Sequence, residues 1–304
     1  MKVRVGVVGL GVMGAAIARN VLKAGYPLSV YDINDEVVAE LVDEGAQACE
    51  SCAHLASQSD RILVIVPDSE HVRQVVLGDK GVLEGAASGS IILQMSTIAP
   101  ETVRDVAQQA AAHGVRLLDV PLCRSSRHAV EGRLMLLLGG EQQDVDDCMP
   151  LLRVLGDTFH HTGPVGSAIT MKLINNSMLQ GMGLAILECI TLGVKAGLEL
   201  EQMVEILSGT AASNRLMEVG YVRSAFRGDY SLGFPLDWAF KDVGHTIDLA
   251  RSLQSPAFSL ALVHQLQNIA RNQGKGRMDH SAMLTVIEEL AGVQVKGEIE
   301  IKEF

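Results

Sequence analysis

The chain has 304 residues, with 25 Lys and Arg against 36 Asp and Glu and a formal net charge of −11; it contains no basic run, so nucleic acid is excluded as an expected partner. At roughly 150 residues per domain, the length predicts two domains. Hydrophobic residues make up 48% but aromatic ones only 4%, beside 30 glycines, which excludes disorder and predicts an aliphatic, helix-rich core.

Along the first 165 residues, short aliphatic runs alternate with helical patterns. Val3–Val8, Leu28–Tyr31, Arg61–Val66, Ile91–Met95, Leu117–Val120 and Leu134–Leu138 have the near-continuous apolar character of parallel strands covered on both faces. Between them, Ala15–Ala24, Asp35–Glu44, His71–Leu77 and Pro100–His113 read as helices. Strict alternation implies a doubly wound α/β sheet. Cys49 and Cys52 form a CxxC, yet no second Cys or His pair at metal-site spacing follows; two small residues in a loop before a helix are expected, and no metal.

Gly9, Gly11 and Gly14 form GxGxxG directly after the first strand and before the first helix. The first glycine permits the tight turn, the second lets backbone approach a pyrophosphate, and the third lets helix and strand pack closely. The loop Gly9-Leu10-Gly11-Val12-Met13-Gly14 is therefore the expected dinucleotide site, with pyrophosphate at the helix amino terminus. Asp32 ends the second strand, where a carboxylate accepts from ribose hydroxyls and repels a 2′-phosphate. Ile33, Asn34 and Asp35 bring no arginine, so NAD is expected over NADP. The competing role for Asp32, amino-terminal cap of the next helix, can be met by Asp35.

After about residue 165 the strand signal ends. Ile169–Gly197 reads as one long helix, the expected joint between domains, and the chain stays helix-like from Glu199 to Gly292. The expected domains are thus 1–165, a Rossmann-type dinucleotide domain, and 166–304, all-helical, with 166–197 as the connecting helix. The tail Val295–Phe304 alternates apolar and charged residues and reads as a short strand or a frayed end. The apolar run Gly181–Val194 is interrupted by Glu188 and falls short of the roughly 20 residues a membrane span needs. The glycine-rich amino terminus lacks a small-residue cleavage site, and the five scattered cysteines fit a reducing compartment, so a cytoplasmic chain without a membrane partner is expected. On the long helix Lys172, Asn175 and Asn176 stand at i, i+3 and i+4, sharing one face. A lysine flanked by apolar residues at a domain joint can be desolvated enough to exchange protons, and the carboxamides can hold a substrate oxygen.

Together, Gly9-Leu-Gly-Val-Met-Gly14, Val66-Pro67, Ser96-Thr97-Ile98, Asp119-Val-Pro121, Lys172 with Asn175-Asn176, and Phe234 leading to Lys241-Asp242 resemble the β-hydroxyacid dehydrogenases, typified by 3-hydroxyisobutyrate dehydrogenase. The motifs run in family order from Gly9 to Asp242. The resemblance implies a Rossmann domain, a long interdomain helix, an all-α second domain and a homodimer or homotetramer. It also implies that Lys172 is the general acid/base, that Asn175 and Asn176 position substrate, and that Val66, Pro67, Thr97 and Lys241 serve the cofactor.

One departure bears on the substrate. Where most members read Ser-Gly-Gly after Asp119-Val-Pro-Leu122, this chain reads Cys123-Arg124-Ser125-Ser126. The loop resembles that of the family branch that reduces 3-sulfolactaldehyde. Arg124, Ser125 and Ser126 are therefore expected to bind the anionic end of a small substrate, with pairing of Arg124 to a surface carboxylate as the alternative. Competing substrates are 3-hydroxyisobutyrate, 4-hydroxybutyrate and 2-hydroxy-3-oxopropionate; a non-catalytic dinucleotide sensor is the competing class. Trp238, where the pattern usually has leucine, is expected to pack a helix interface, and Ala168 replaces a glycine before Lys172.

Overall fold

The computed structural model describes residues 2–231, 233–297 and 299. The chain divides into two compact units, Met1–Lys172 and Leu173–Phe304, so the division falls inside the long helix, seven residues beyond the expected 165/166 boundary.

The first unit alternates strands and helices as β1 (Val5–Val8), α1 (Val12–Lys23), β2 (Leu28–Tyr31), α2 (Asp35–Asp43), β3 (Gln47–Ala48), α3 (Cys52–Ser57), β4 (Arg61–Val64), α4 (Ser69–Leu77), α5 (Val82–Gly85), β5 (Ile91–Gln94), α6 (Pro100–Ala112) and β6 (Arg116–Asp119). It continues through β7 (Leu122–Cys123), α7 (Ser126–Val130), β8 (Leu134–Gly139), α8 (Gln142–Leu155) and β9 (Gly156–Gly163). The strands form one sheet in the order β3-β2-β1-β4-β5-β6-β8-β7, with β9 on β8. Pairing is parallel from β3 to β6, and β8 runs antiparallel to β6 and β7. The central strands are buried on both faces, which is why they read as unbroken aliphatic runs. The winding order reverses at β1, with β2 and β3 on one side and β4 to β6 on the other, so the switch point lies at the carboxyl ends of β1 and β4, the usual ligand position in such sheets.

Three strands lie outside the six aliphatic runs. β3 and β7 have two residues each, and β9 (Gly156-Asp-Thr-Phe-His-His-Thr-Gly163) is a polar, mostly half-buried strand with Phe159 as its one apolar side chain, too little for an aliphatic run. The CxxC also differs from a plain loop, because Cys52 opens α3 with Ser51 as its cap. Both thiols are buried, which pushes Cys49 up and Cys52 up to about 12, so neither is a reactive thiolate.

The second unit is helical. α9 (Ser167–Lys195) enters it and is followed by α10 (Leu200–Ser208), α11 (Leu236–Ser252), α12 (Phe258–Ala270) and α13 (Met283–Ala291). Between α10 and α11 the chain stays helix-like only in pieces: a segment over 215–223 whose middle, Leu216–Tyr221, is π-helical and a 3-10 turn at Ala225–Arg227, separated from the flanking helices by turns and bends. Tyr221, Phe226, Leu236, Val263 and Met283 fill the core. In the tail, 295–297 and 299 form no strand, and the rest of the expected element, 298 and 300–304, lies outside the described residues.

By length and composition α9 could cross a membrane, with mean hydropathy 1.5 over its most apolar 18 residues. It extends beyond the apolar run Gly181–Val194 at its amino-terminal side, where Asn176, Ser177 and Gln180 belong to the same helix. Those polar residues meet partners on other helices. Asn176 Nδ2 donates to Asp242 Oδ2 (2.7 Å), Ser177 Oγ to Thr246 Oγ1 (2.6 Å), and Gln267 Nε2 to Gln180 Oε1 (3.1 Å). Buried polar groups that find partners in this way pack this face of α9 against α11 and α12.

Candidate active site

Gly9 adopts φ +92°, and a Cβ there would lie 2.1 Å from the Ile65 carbonyl oxygen; a Cβ at Gly14 would lie 2.0 Å from Gly9 O. Both positions thus require glycine, one for the turn and one for the approach of helix to strand. Around the Cβ position of Gly11 there is only open space, and α1 begins there with no side-chain cap. Free first-turn N–H groups beside an unfilled cradle fit a pyrophosphate. Leu10 is buried, Met13 half-buried and Val12 exposed.

The Asp32 carboxylate accepts from Leu10 N (2.5 Å) and Asn34 N (2.8 Å), which ties the glycine loop to the end of β2. It is not the cap of α2. Nor is Asp35; Asn34 caps that helix by accepting from Glu36 N (3.1 Å). At the next strand ends Ser96 Oγ accepts from Val66 N (2.8 Å), which links the Val66-Pro67 turn after β4 to the Ser96-Thr97 turn after β5. The expected cofactor residues of this unit therefore lie along the carboxyl ends of β1, β2, β4 and β5. These residues fit a nicotinamide dinucleotide.

On α9, Lys172 and Asn175 are half-buried and Asn176 is buried. Asn175 Nδ2 donates to Asn176 Oδ1 (3.0 Å), and Asn176 in turn donates to Asp242, which is 1% exposed. Lys241 Nζ lies 3.7 Å from the other oxygen of Asp242. Asn175, Asn176, Lys241 and Asp242 thus form one connected network. Asp242 was visible in the sequence only as the neighbour of Lys241.

The loop after β7 departs from expectation. Arg124 takes φ +77°, a left-handed conformation, at a position where the family pattern has glycine. Its guanidinium donates to Asp157 Oδ1 (2.7 Å), Arg133 O (2.5 Å) and Thr158 Oγ1 (3.0 Å). The fork expected for a substrate anion is therefore engaged by Asp157, which is the alternative pairing with a surface carboxylate. Ser125 Oγ lies 2.8 Å from His128 Nδ1, and Ser126 is exposed at the start of α7. Trp238 is half-exposed and meets Phe234 edge to face, at 6.1 Å between ring centroids.

Asp119 is the buried group the sequence did not single out for a role. It ends β6, is fully buried, and accepts through Oδ2 from Gly166 N (3.1 Å) and Ile169 N (2.8 Å). Burial pushes its carboxyl up to about 7, against the lowering effect of those N–H groups. Among the described residues no group of three or more His, Cys, Asp or Glu is arranged to hold a metal ion.

A family model described as the NAD binding domain of 6-phosphogluconate dehydrogenase matches residues 4–163, and one described as the NAD-binding of NADP-dependent 3-hydroxyisobutyrate dehydrogenase matches 166–287. The 3-sulfolactaldehyde reductase of Escherichia coli (strain K12) is 34% identical over 289 residues, covering 95% of this chain and 97% of that protein. The 2-(hydroxymethyl)glutarate dehydrogenase of Eubacterium barkeri is 32% identical over 296 residues, covering 97% and 98%. A solved structure of Mycobacterium tuberculosis 3-hydroxyisobutyrate dehydrogenase with L-serine superposes at TM-score 0.89 over 94% of this chain and 99% of that one; at 22% identity this speaks for the fold. A glycine loop of the required geometry, matched family models over both halves and relatives aligned nearly end to end make the chain a member of the β-hydroxyacid dehydrogenase family, a nicotinamide-dinucleotide-dependent hydroxyacid dehydrogenase.

Proposed function

We propose that the chain reduces a short anionic aldehyde with NADH, and that 3-sulfolactaldehyde, reduced to 2,3-dihydroxypropane-1-sulfonate, is the first substrate to test. The observation that carries the reaction type is the half-buried Lys172 one turn before two asparagines whose carboxamides are held in place through Asp242. Lys172 gives a proton to the carbonyl oxygen in reduction and takes it back from the alcohol in oxidation. Asn175 and Asn176 hold that oxygen, and Lys241 serves the cofactor. The bound nicotinamide supplies the hydride to the same carbon, or accepts it in the reverse direction. NAD is favoured over NADP by the Asp32 carboxylate and by the absence of a cation in Ile33-Asn34-Asp35.

Substrate choice rests on the loop Cys123–Ser126 and on the relative in Escherichia coli. Ser125 and Ser126 hold the anionic end, with Arg124 joining once its bond to Asp157 is exchanged. Arg124→Ala should then weaken the sulfonate more than a carboxylate. The plain hydroxyacids, 3-hydroxyisobutyrate above all, are the second reading, favoured by the family model over the second half. A panel of sulfolactaldehyde and carboxylic semialdehydes, followed by nicotinamide absorbance, tests both; preference for a carboxylate that Arg124→Ala leaves unchanged overturns the sulfonate reading. Lys172→Ala should lower kcat by about 10²–10⁴-fold, the usual contribution of a general acid. Full turnover in that variant would refute the assigned role.

A homodimer or homotetramer is supported by an apolar stripe on α12, where Phe258 is 83% and Leu262 66% exposed. A cytoplasmic location is supported by five free cysteines.

A further inference from the structure

Helix α9 carries Lys172 six residues into its length, and its amino terminus is built in an unusual way. The residue before it, Gly166, accepts the first intrahelical bond from Thr170 N (3.2 Å) and so occupies the cap position. A cap residue ordinarily offers a side-chain oxygen to the second or third N–H of the helix. Gly166 has none, and its φ of +90° disfavours any residue that would have one. Asp119 does this work from the sheet. Its Oδ2 takes both the N–H of Gly166 and that of Ile169, the third helical residue, closing a link across 50 positions in the sequence.

The carboxylate is itself rigidly held. Asp119 pairs in register with Gln94 on β5 and with Gly139 on β8, so the bond to Ile169 refers the helix to the centre of the sheet. Capping alone does not need so costly a group. Among the described residues Asp119 Oδ1 is buried without a hydrogen-bond partner, and the N–H of Ala168 and the charge of Arg104 also act on the carboxyl. A serine or asparagine in the helix's own sequence would close the terminus at less expense.

We infer that Asp119 is a positioning residue for Lys172: it fixes the rotational phase of α9 against the sheet and so aims the ammonium. The inference rests on the reading of Lys172 as the general acid/base. Lys172 follows Ile169 by three residues, less than one turn. At a radius of about 6 Å a rotation of about 10° displaces an atom by about 1 Å. A displacement of about that size at a reacting group costs on the order of 10²-fold in rate.

The test compares Asp119→Ala and Asp119→Asn in the full-length protein, with 3-sulfolactaldehyde and NADH as one assay and 3-hydroxyisobutyrate and NAD as the other. Asp119→Ala should lower kcat by about 10–100-fold while the NADH dissociation constant stays within about twofold. Asn keeps an acceptor oxygen for both N–H groups and should restore kcat to within about threefold of wild type. In the Lys172→Ala background, Asp119→Ala should have no further effect on the residual rate, because the group it aims is gone. A wild-type kcat in folded Asp119→Ala, or an equal penalty in both backgrounds, would reduce Asp119 to a simple cap and overturn the inference. Should Asp119→Ala not fold, Asp119→Glu, which keeps the charge but shifts the acceptor by one methylene, takes its place in the same comparison. If Lys172→Ala alone retains turnover, the acid/base reading fails separately, whatever Asp119 does.

Discussion

Among single residues, the glycines and Asp32 were legible in the sequence because their neighbours along the chain form their surroundings. Asp119, Arg124 and Asp242 were not, because their partners lie far along it. Asp157 is 33 positions beyond Arg124, Ile169 is 50 beyond Asp119 and Asp242 is 66 beyond Asn176. Nothing in the local spacing of these residues announces such pairings. Two outcomes follow at this scale. Gly14→Ala, whose new Cβ would meet Gly9 O, must push α1 away from its strand and should weaken NADH binding about tenfold, read by fluorescence titration. Asp119 makes stability depend on pH in an unusual sense: its folded value, about 7, lies above the unfolded 3.8, so the native state holds the proton more tightly between the two. This contribution is complete below pH 4 and is lost as pH rises through 7. Asp119→Asn should therefore narrow the fall in Tm between pH 5 and pH 8 relative to wild type, and an unchanged difference would refute the shift.

At the level of elements, the strands buried on both faces were readable and the edge of the sheet was not. β4 and β5 are unbroken aliphatic runs, whereas β9 has polar residues on its open side and is recognisable only through its pairing to β8. The long helix is legible in its lack of proline and of strand signal, but the polar seam along it depends on α11 and α12. Ser177→Ala removes the bond to Thr246 and should cost about 1 kcal/mol in urea unfolding, with kcat unchanged. A loss below about 0.3 kcal/mol would show that Thr246 finds another partner at no cost.

For the whole molecule, the net charge of −11 means that, under the proposed function, anionic ligands depend on local features such as the helix-terminal N–H groups of the glycine loop. Length predicts two domains and composition an aliphatic core, but neither says which surfaces stay apolar. The exposed Phe258 and Leu262 on α12 are such a surface. Replacing both by glutamate should shift the protein toward monomer in light scattering and leave NADH affinity within about threefold; unchanged mass would move the expected subunit contact elsewhere.

The polar seam of α9 also imposes an order on synthesis. The partners of Asn176, Ser177 and Gln180 are made 66, 69 and 87 residues later. At about 5–20 residues per second, the longest apolar helix waits roughly 4–17 s outside the ribosome before the last of these bonds can close. During that interval it offers chaperones and membrane-insertion machinery alike a segment that only its own downstream helices can later withdraw.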